Sequence, residues 1–357
     1  MLIAGGEAHW ADLIEQTTFN ALPGAVTKDF KQLQYFSSAN QILASNTACP
    51  RIAPTRMSYR AAHDTECCSG NINRAMPNYV SRMWMKMEGG VAATLYGPCE
   101  VKTIVDGETV SVTEGTDYPF REMISFNIKV RRPVMFVLGL RVPEWCSGAS
   151  VTVNGKVADV ECRPGSFARL TREFRDGDRV VLHLPMNVEL KDWFGVRGVS
   201  VQRGPLVYSL KIAEKRVESL QDSDAIKRVL KGNNIQGFPA VEFYPLSDWR
   251  YGMDRTQKDA PEKFKVIEAP MPENPFIAET TPVRIEVPLR GLPQWAVAWK
   301  PEPETPPAEL NTALQNPASL PSETELQSAG ATEEMRLIPY GSTHLRLTTL
   351  PVIKVGT

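Results

Sequence analysis

The run His63-Asp64-Thr65-Glu66-Cys67-Cys68-Ser69-Gly70-Asn71 concentrates more reactive side chains than any other window of this 357-residue sequence. It lies where irregular chain gives way to a helix. The residues that follow, among them Arg74, Tyr79, Arg82 and Trp84, predict a helix over about 70–87. Pro77 falls inside that span, so the helix either starts just before it or kinks there. Two adjacent cysteines admit several readings. A disulfide between neighbours closes a strained ring, which favours free thiols. Such thiols are often two small apolar side chains, one facing each way. At a helix N-terminus, however, a thiolate is stabilised and nucleophilic at neutral pH, and two thiolates bind one soft cation such as zinc. A tetrahedral zinc takes four ligands, so two would have to come from elsewhere. His63 reads as a capping or loop histidine and Glu66 as helix-flanking charge.

Working outward, residues 7–19 place Ala8, Ala11, Leu13, Ile14, Thr18 and Phe19 near a 3.6-residue period with Asp12 and Glu15 between them, which predicts an amphipathic helix stopped by Pro23-Gly24. Residues 28–62 have no sustained period. Beyond Gly90 the pattern switches to short β-branched runs: 91–95, 109–112, 124–130, 134–140 and 180–184. Asp106-Gly107 and Asn154-Gly155 predict two-residue hairpins, since a type I′ turn needs positive φ at both central positions. Asp176-Gly177-Asp178 marks another turn. A second set of strands is expected at 199–202, 206–210, 241–244, 283–288, 296–299 and 345–348, interrupted by a polar stretch at 214–236 and a Pro-rich one at 301–330.

Forty Lys and Arg against forty-one Asp and Glu give a formal charge of -1, which supplies no electrostatic reason to bind nucleic acid or an anionic membrane. The pair Arg131-Arg132 reads as solvated rim. No apolar run reaches the roughly 20 residues of a membrane span, and the N-terminus lacks the pattern of a signal peptide. That points to the cytoplasm unless a preceding segment carries a signal. Six cysteines in a chain of this length do not form a disulfide framework.

The run from Glu66 through Cys67-Cys68-Ser69-Gly70-Asn71, continuing past Met76-Pro77-Asn78-Tyr79 to Trp84, resembles the Cys-Cys-x-x-Asn signature of glycoside hydrolase family 127, the β-L-arabinofuranosidase family. Arg141-Val142-Pro143-Glu144-Trp145, Val153-Asn154-Gly155, Gly165-Ser166-Phe167 and Leu184-Pro185-Met186 are similar to that family's first β-sandwich. Gln202-Arg203-Gly204-Pro205-Leu206-Val207-Tyr208 and Ile338-Pro339-Tyr340-Gly341-Ser342-Thr343 resemble the opening and close of its last domain.

The resemblance implies a mainly β fold, with part of an (α/α)6 barrel over 1–88 followed by antiparallel β-sandwiches over 89–188 and 189–357. It implies zinc held by Cys67 and Cys68, with Cys67 as the nucleophile of a retaining glycosidase. It also implies a furanoside-containing carbohydrate as substrate, with Glu15 and Tyr35 at positions that face the sugar, and it is compatible with a homodimer through the C-terminal sandwich. In that family a proton-transferring Glu and a Glu-x-Cys ligand pair precede the point matching Met1. No Glu-x-Cys occurs upstream of Cys67, and Cys49 has no carboxylate two residues before it. The expectation is therefore a fragment of a glycosidase, inactive by itself, with exposed apolar surface on residues 1–88. The alternative is a non-catalytic scaffold, oligomerisation or carbohydrate-binding fragment. Trp193, Trp249, Trp295 and Trp299 are candidates for a sugar platform, though core packing is the more ordinary role for most of them.

Overall fold

The computed structural model describes residues 1–45, 57–61, 63, 67–193, 197–219, 238–295 and 320–353. These fall into two compact units, one of residues 1–19 and 74–187, the other of residues 20–73 and 188–357. The protein is mainly β, built from several sheets. No helix among the described residues is long and apolar enough to cross a membrane.

In the first unit, a six-stranded antiparallel sheet runs in the order Lys156–Val157, Ser150–Val153, Arg179–His183, Met123–Lys129, Glu108–Thr116, Cys99–Val105. Both expected hairpins form. Asp106 and Gly107 have φ of 49° and 76°, Asn154 and Gly155 of 49° and 78°, as type I′ turns require. A four-stranded sheet, Ser166–Phe174, Val134–Val142, Gly90–Ala93, Trp84–Met87, completes the unit. Within it, Gly90–Ala93 pairs with Val134–Val142 in parallel, a departure from the all-antiparallel expectation. The Trp84 ring meets Phe126 of the larger sheet edge to face at 5.8 Å.

The helix expected over 70–87 runs instead from Cys67 to Val80, continuous through Pro77. Trp84–Met87 is a strand that folds back on Gly90–Ala93 around Gly89, whose φ is 74°. Helical spacing of aromatics could not reveal this, because the pairing partner rather than local propensity decides the element. The N-terminal helix also differs. It spans Ala8–Gln16 and then widens into a π turn, Thr17–Ala21, where the Thr17 hydroxyl donates to the Leu13 carbonyl at 2.9 Å. Pro23 does not stop it, because it sits at the start of the short helix Leu22–Gly24, where a missing N–H costs little.

The second unit holds a four-stranded sheet, Leu33–Gln34, Tyr59–Arg60, Ala240–Pro245, Glu214–Ser219, and a larger ten-stranded one. Residues 28–62 thus contribute short strands, and 214–219, expected to interrupt the sheet, are part of one. In the larger sheet, Gly198–Arg203 pairs with Leu350–Ile353, which pairs in parallel with Tyr251–Asp254. Pairing passes on to Val283–Gly291, Thr332–Pro339 and Leu206–Lys211, and so back to Gly198–Arg203. Six strands therefore close a circuit, which leaves them no free edge. Residues 322–327, part of the stretch expected as a loop, form a capped helical turn, Glu323–Gln327, closed by Ser322 and Glu325. Residues 220–237, 296–299 and 301–319 lie outside the described residues. Trp249 and Trp295 are buried against each other with ring centroids 4.9 Å apart, so they serve the core. Trp193 is 43% exposed, and Trp299 lies outside the described residues.

Two consequences of the first unit's packing can be measured. A Cβ built on Gly90 would lie 1.9 Å from the Val137 carbonyl oxygen, its partner in the parallel pair. Backbone cannot yield as a side chain can, so Gly90→Ala is expected to destabilise the protein by about 2 kcal/mol or more in urea unfolding. An unchanged midpoint would show that the strand does not approach this closely.

Glu114 is the second case. Its carboxylate is buried, accepting from the Gly97 N–H at 3.0 Å and lying 3.7 Å from the Cys99 sulfur, to which Trp84 Nε1 donates at 3.3 Å. Burial pushes its pKa up to about 8. Between the ordinary carboxylate range and pH 8 the folded chain therefore holds a proton that the unfolded chain has released. Stability contributed here is complete at acid pH and lost as pH rises to about 8, at ~1.4 kcal/mol per unit. Glu114→Gln should gain on the wild type as pH is raised from 5 to 8. Parallel stability-versus-pH curves for the two proteins would rule this out.

Candidate functional site

Cys67 and Cys68 open the Cys67–Val80 helix, in the first turn, where backbone N–H groups have no partners within the helix. Cys67 is exposed, Cys68 is half-buried, and neither forms a disulfide. Their sulfurs are 3.9 Å apart. Two thiolates on one tetrahedral zinc, each with a bond near 2.3 Å, lie about 3.8 Å from each other, so the pair is spaced as two ligands of one ion. Among the described residues no group of three or more His, Cys, Asp and Glu side chains gathers, so a full coordination set is not assembled there. Asp64, Glu66 and Cys49 lie outside the described residues.

Nearby in sequence, His63 is buried with Nε2 3.0 Å from the Leu33 carbonyl oxygen, and its ring meets Tyr35 edge-on at 5.8 Å. It anchors the loop, as its reading as a loop histidine anticipates. Tyr35 is half-buried and also packs edge-on against Phe36 at 4.8 Å. Cys67, Cys68 and Tyr35 belong to the second unit.

Glu15 belongs to the first. It is wholly buried on the same side of its helix as Ala8 and Ala11, while Leu13 is 51% exposed. The apolar period expected for this helix is thus partly reversed. The cause is Arg141, fully buried in the Val134–Val142 strand. Its guanidinium is paired with both Asp12 and Glu15, and its Nε donates to the Thr94 carbonyl at 2.6 Å. Tyr118 donates to the other Glu15 oxygen at 2.5 Å. The Tyr79 hydroxyl lies 3.4 Å from Glu15 Oε1 and donates to the Tyr96 carbonyl at 2.9 Å. Burial raises the Glu15 pKa, and the adjacent guanidinium and the Tyr118 hydroxyl partly offset that. The arrangement neutralises buried charge and ties helix to sheet.

Arg141 stands in the sequence within a family-like motif, and nothing local marks Tyr79, Tyr96 or Tyr118 as its companions. One signal existed: an arginine inside the apolar run Val134–Val142, where a buried charge implies a partner. The partners are up to 129 residues away and leave no local trace.

On the outer side of the same helix lies an apolar groove of about 570 Å³, lined by Leu2, Trp10, Leu13, Ile14, Ala75 and Tyr79 among others. Met76 and Val80, nearby in sequence, are exposed as well. Residues 1–88 therefore do carry exposed apolar surface.

The family model for the GH127 β-L-arabinofuranosidase catalytic domain matches residues 1–81, and that for the GH127 middle domain matches residues 90–186. Among curated proteins, no sequence matches this chain. Solved structures are similar as well, among them the following three. A glycoside hydrolase aligns with a TM-score of 0.66 at 21% identity over 99% of this chain and 50% of its own. A GH127 β-L-arabinofuranosidase from Geobacillus stearothermophilus T6 gives 0.65 at 20% identity, over 99% and 48%. The GH127 β-arabinofuranosidase BT3674 gives 0.62 at 18% identity, over 98% and 47%. At these identities the structures speak to the fold, and the chain spans about half their length. The two family models meet the thiol-bearing helix and the first unit's sheets in the order seen here, and the chain belongs to glycoside hydrolase family 127.

Proposed function

We propose that this chain is a portion of a retaining, β-L-arabinofuranosidase-like glycoside hydrolase with Cys67 as the nucleophile, and that it does not turn over sugar by itself. The observation that carries the reading is the 3.9 Å spacing of the Cys67 and Cys68 sulfurs at the start of a helix, within the segment matched by the catalytic-domain model. In this reading the Cys67 thiolate attacks the anomeric carbon of a furanoside-containing carbohydrate. A C–S bond forms as the glycosidic C–O bond breaks, the departing oxygen taking a proton from a general acid, and water that gives its proton back to that group later displaces the thiolate with net retention. Cys67 and Cys68 would hold zinc, which keeps thiols deprotonated and fixed in place when bound. Glu15 and Tyr35 remain proposed sugar-facing positions through the resemblance alone. The proposed inactivity of the chain alone rests on ligand count, since two thiols supply half of a tetrahedral set and no third ligand gathers with them among the described residues. The division into residues 1–88, 89–188 and 189–357, with β-sandwiches in the latter two and a homodimer through the last, belongs to the same proposal. The matched bounds 1–81 and 90–186 support its first boundary.

The second reading, a non-catalytic scaffold or carbohydrate-binding fragment, is favoured by the exposed apolar groove. Cobalt(II) titration separates the two. The thiol pair should give thiolate-to-cobalt charge-transfer absorbance that weakens in Cys67→Ser and in Cys68→Ser and vanishes in the double variant. The chain should leave an aryl β-L-arabinofuranoside uncleaved. No charge-transfer band would discard the metal-thiolate reading, and Cys67-dependent turnover would discard inactivity.

A further inference from the structure

In the second unit, Phe30 lines a groove of about 560 Å³ whose other residues include Pro272, Glu273, Asn274, Ile277 and Thr280. Phe30 is unusual on two counts. Its φ is 57°, in the left-handed region, and its side chain is 65% exposed. A bulky side chain there costs roughly 1–2 kcal/mol, and an exposed ring recovers little of that by burial. Glycine or asparagine would make the same turn at lower cost.

The turn itself is firmly held. Phe30 N–H donates to the Thr27 carbonyl at 2.8 Å, and Asp29 accepts from the Thr27 hydroxyl at 2.7 Å and the Lys31 N–H at 3.3 Å. The opposite wall is tied to it, because Asn274 Nδ2 donates to the Lys28 carbonyl at 3.1 Å while Asn274 Oδ1 accepts from the Phe276 N–H at 3.0 Å. Lys28 is itself anchored through Nζ to the carbonyls of Pro23 at 2.8 Å and Gly341 at 2.6 Å. The groove is thus a fixed shape with an aromatic face presented to solvent.

We infer that this groove is an accessory carbohydrate-binding subsite, separate from the cysteine pair. Its composition matches a sugar ring. The aromatic face receives the apolar C–H face of a saccharide, Ile277 and the prolines extend that surface, and exposed Glu273 and Thr280 supply a carboxylate and a hydroxyl for sugar hydroxyls. One carboxylate against one phenyl ring would also attract a cation. The remaining lining is uncharged, which favours a neutral polyol. The choice of carbohydrate rests on the glycoside hydrolase reading above, whereas the place of the subsite does not.

The test is titration of the full chain with an arabinan-derived oligosaccharide, followed by ligand-observed NMR. Phe30→Asn keeps a residue that tolerates the left-handed turn and removes the ring, and it should weaken binding by about tenfold. Phe30→Trp should preserve or strengthen binding, and binding should be insensitive to added salt. Binding equal in the wild type and Phe30→Asn overturns the proposal, as does binding that collapses in salt, the mark of a cation site. Absence of saccharide binding while the cobalt signature persists overturns this subsite and leaves the metal-thiolate reading intact. Binding without that signature does the reverse.

Discussion

The buried guanidinium of Arg141 is the constraint on which the first unit depends. A charge with no exposed surface is tolerated only when paired and hydrogen-bonded, and here the guanidinium is ion-paired with two carboxylates while its Nε donates to a carbonyl. The pairing works in both directions. Asp12 and Glu15 are drawn down onto the sheet, and burial, which raises both carboxyl pKa values, is opposed by the nearby positive charge. Asp12 also accepts from the Glu144 N–H at 2.9 Å, which fixes the chain just beyond the strand. Losing one partner of such a cluster leaves an uncompensated charge, typically a loss of 3–5 kcal/mol.

The thiol pair shows the opposite economy. Cys67 is exposed and Cys68 half-buried, and neither fills a core position. Two small apolar side chains packed in opposite directions would look different, because free cysteine is otherwise among the most buried residue types. Their 3.9 Å separation suits one shared soft ion. It does not suit a disulfide, whose sulfurs lie near 2.05 Å. The geometry therefore sets a disulfide aside and is compatible with two thiols sharing an ion.

What could be read in advance follows from the range of the interaction that fixes each feature. The Asp106-Gly107 and Asn154-Gly155 turns are set by the φ preferences of two neighbouring residues, so the sequence displays them directly. The strand at Trp84–Met87 is set by pairing with Gly90–Ala93, which in turn pairs with Val134–Val142, so its local spacing reads as helix. The closed circuit in the second unit joins Gly198–Arg203 to strands as distant as Leu350–Ile353, a relation no local pattern encodes. The same holds for the reactive and buried polar side chains. Cys67 and Cys68 of the second unit announce themselves by adjacency, whereas Arg141, Tyr118 and Glu15 of the first meet only once its sheets have formed.

The Ala8–Gln16 helix brings these lines together. Nine residues make a helix too short to persist without tertiary contacts. The usual support would be a continuous apolar stripe turned inward, but here Leu13 and Ile14 line an open groove, and the inward side carries Ala8, Ala11 and Glu15. Two alanines bury little area, so hydrophobic burial on that side is modest. Electrostatic pairing and the tyrosine hydroxyls around Glu15 must then supply much of what orients the helix. Desolvation makes such pairing a poor source of net stability but a strong source of specificity, since few other orientations would satisfy Arg141. The helix is positioned by charge on one side and leaves Leu13 exposed on the other, which partly reverses how its sequence period reads.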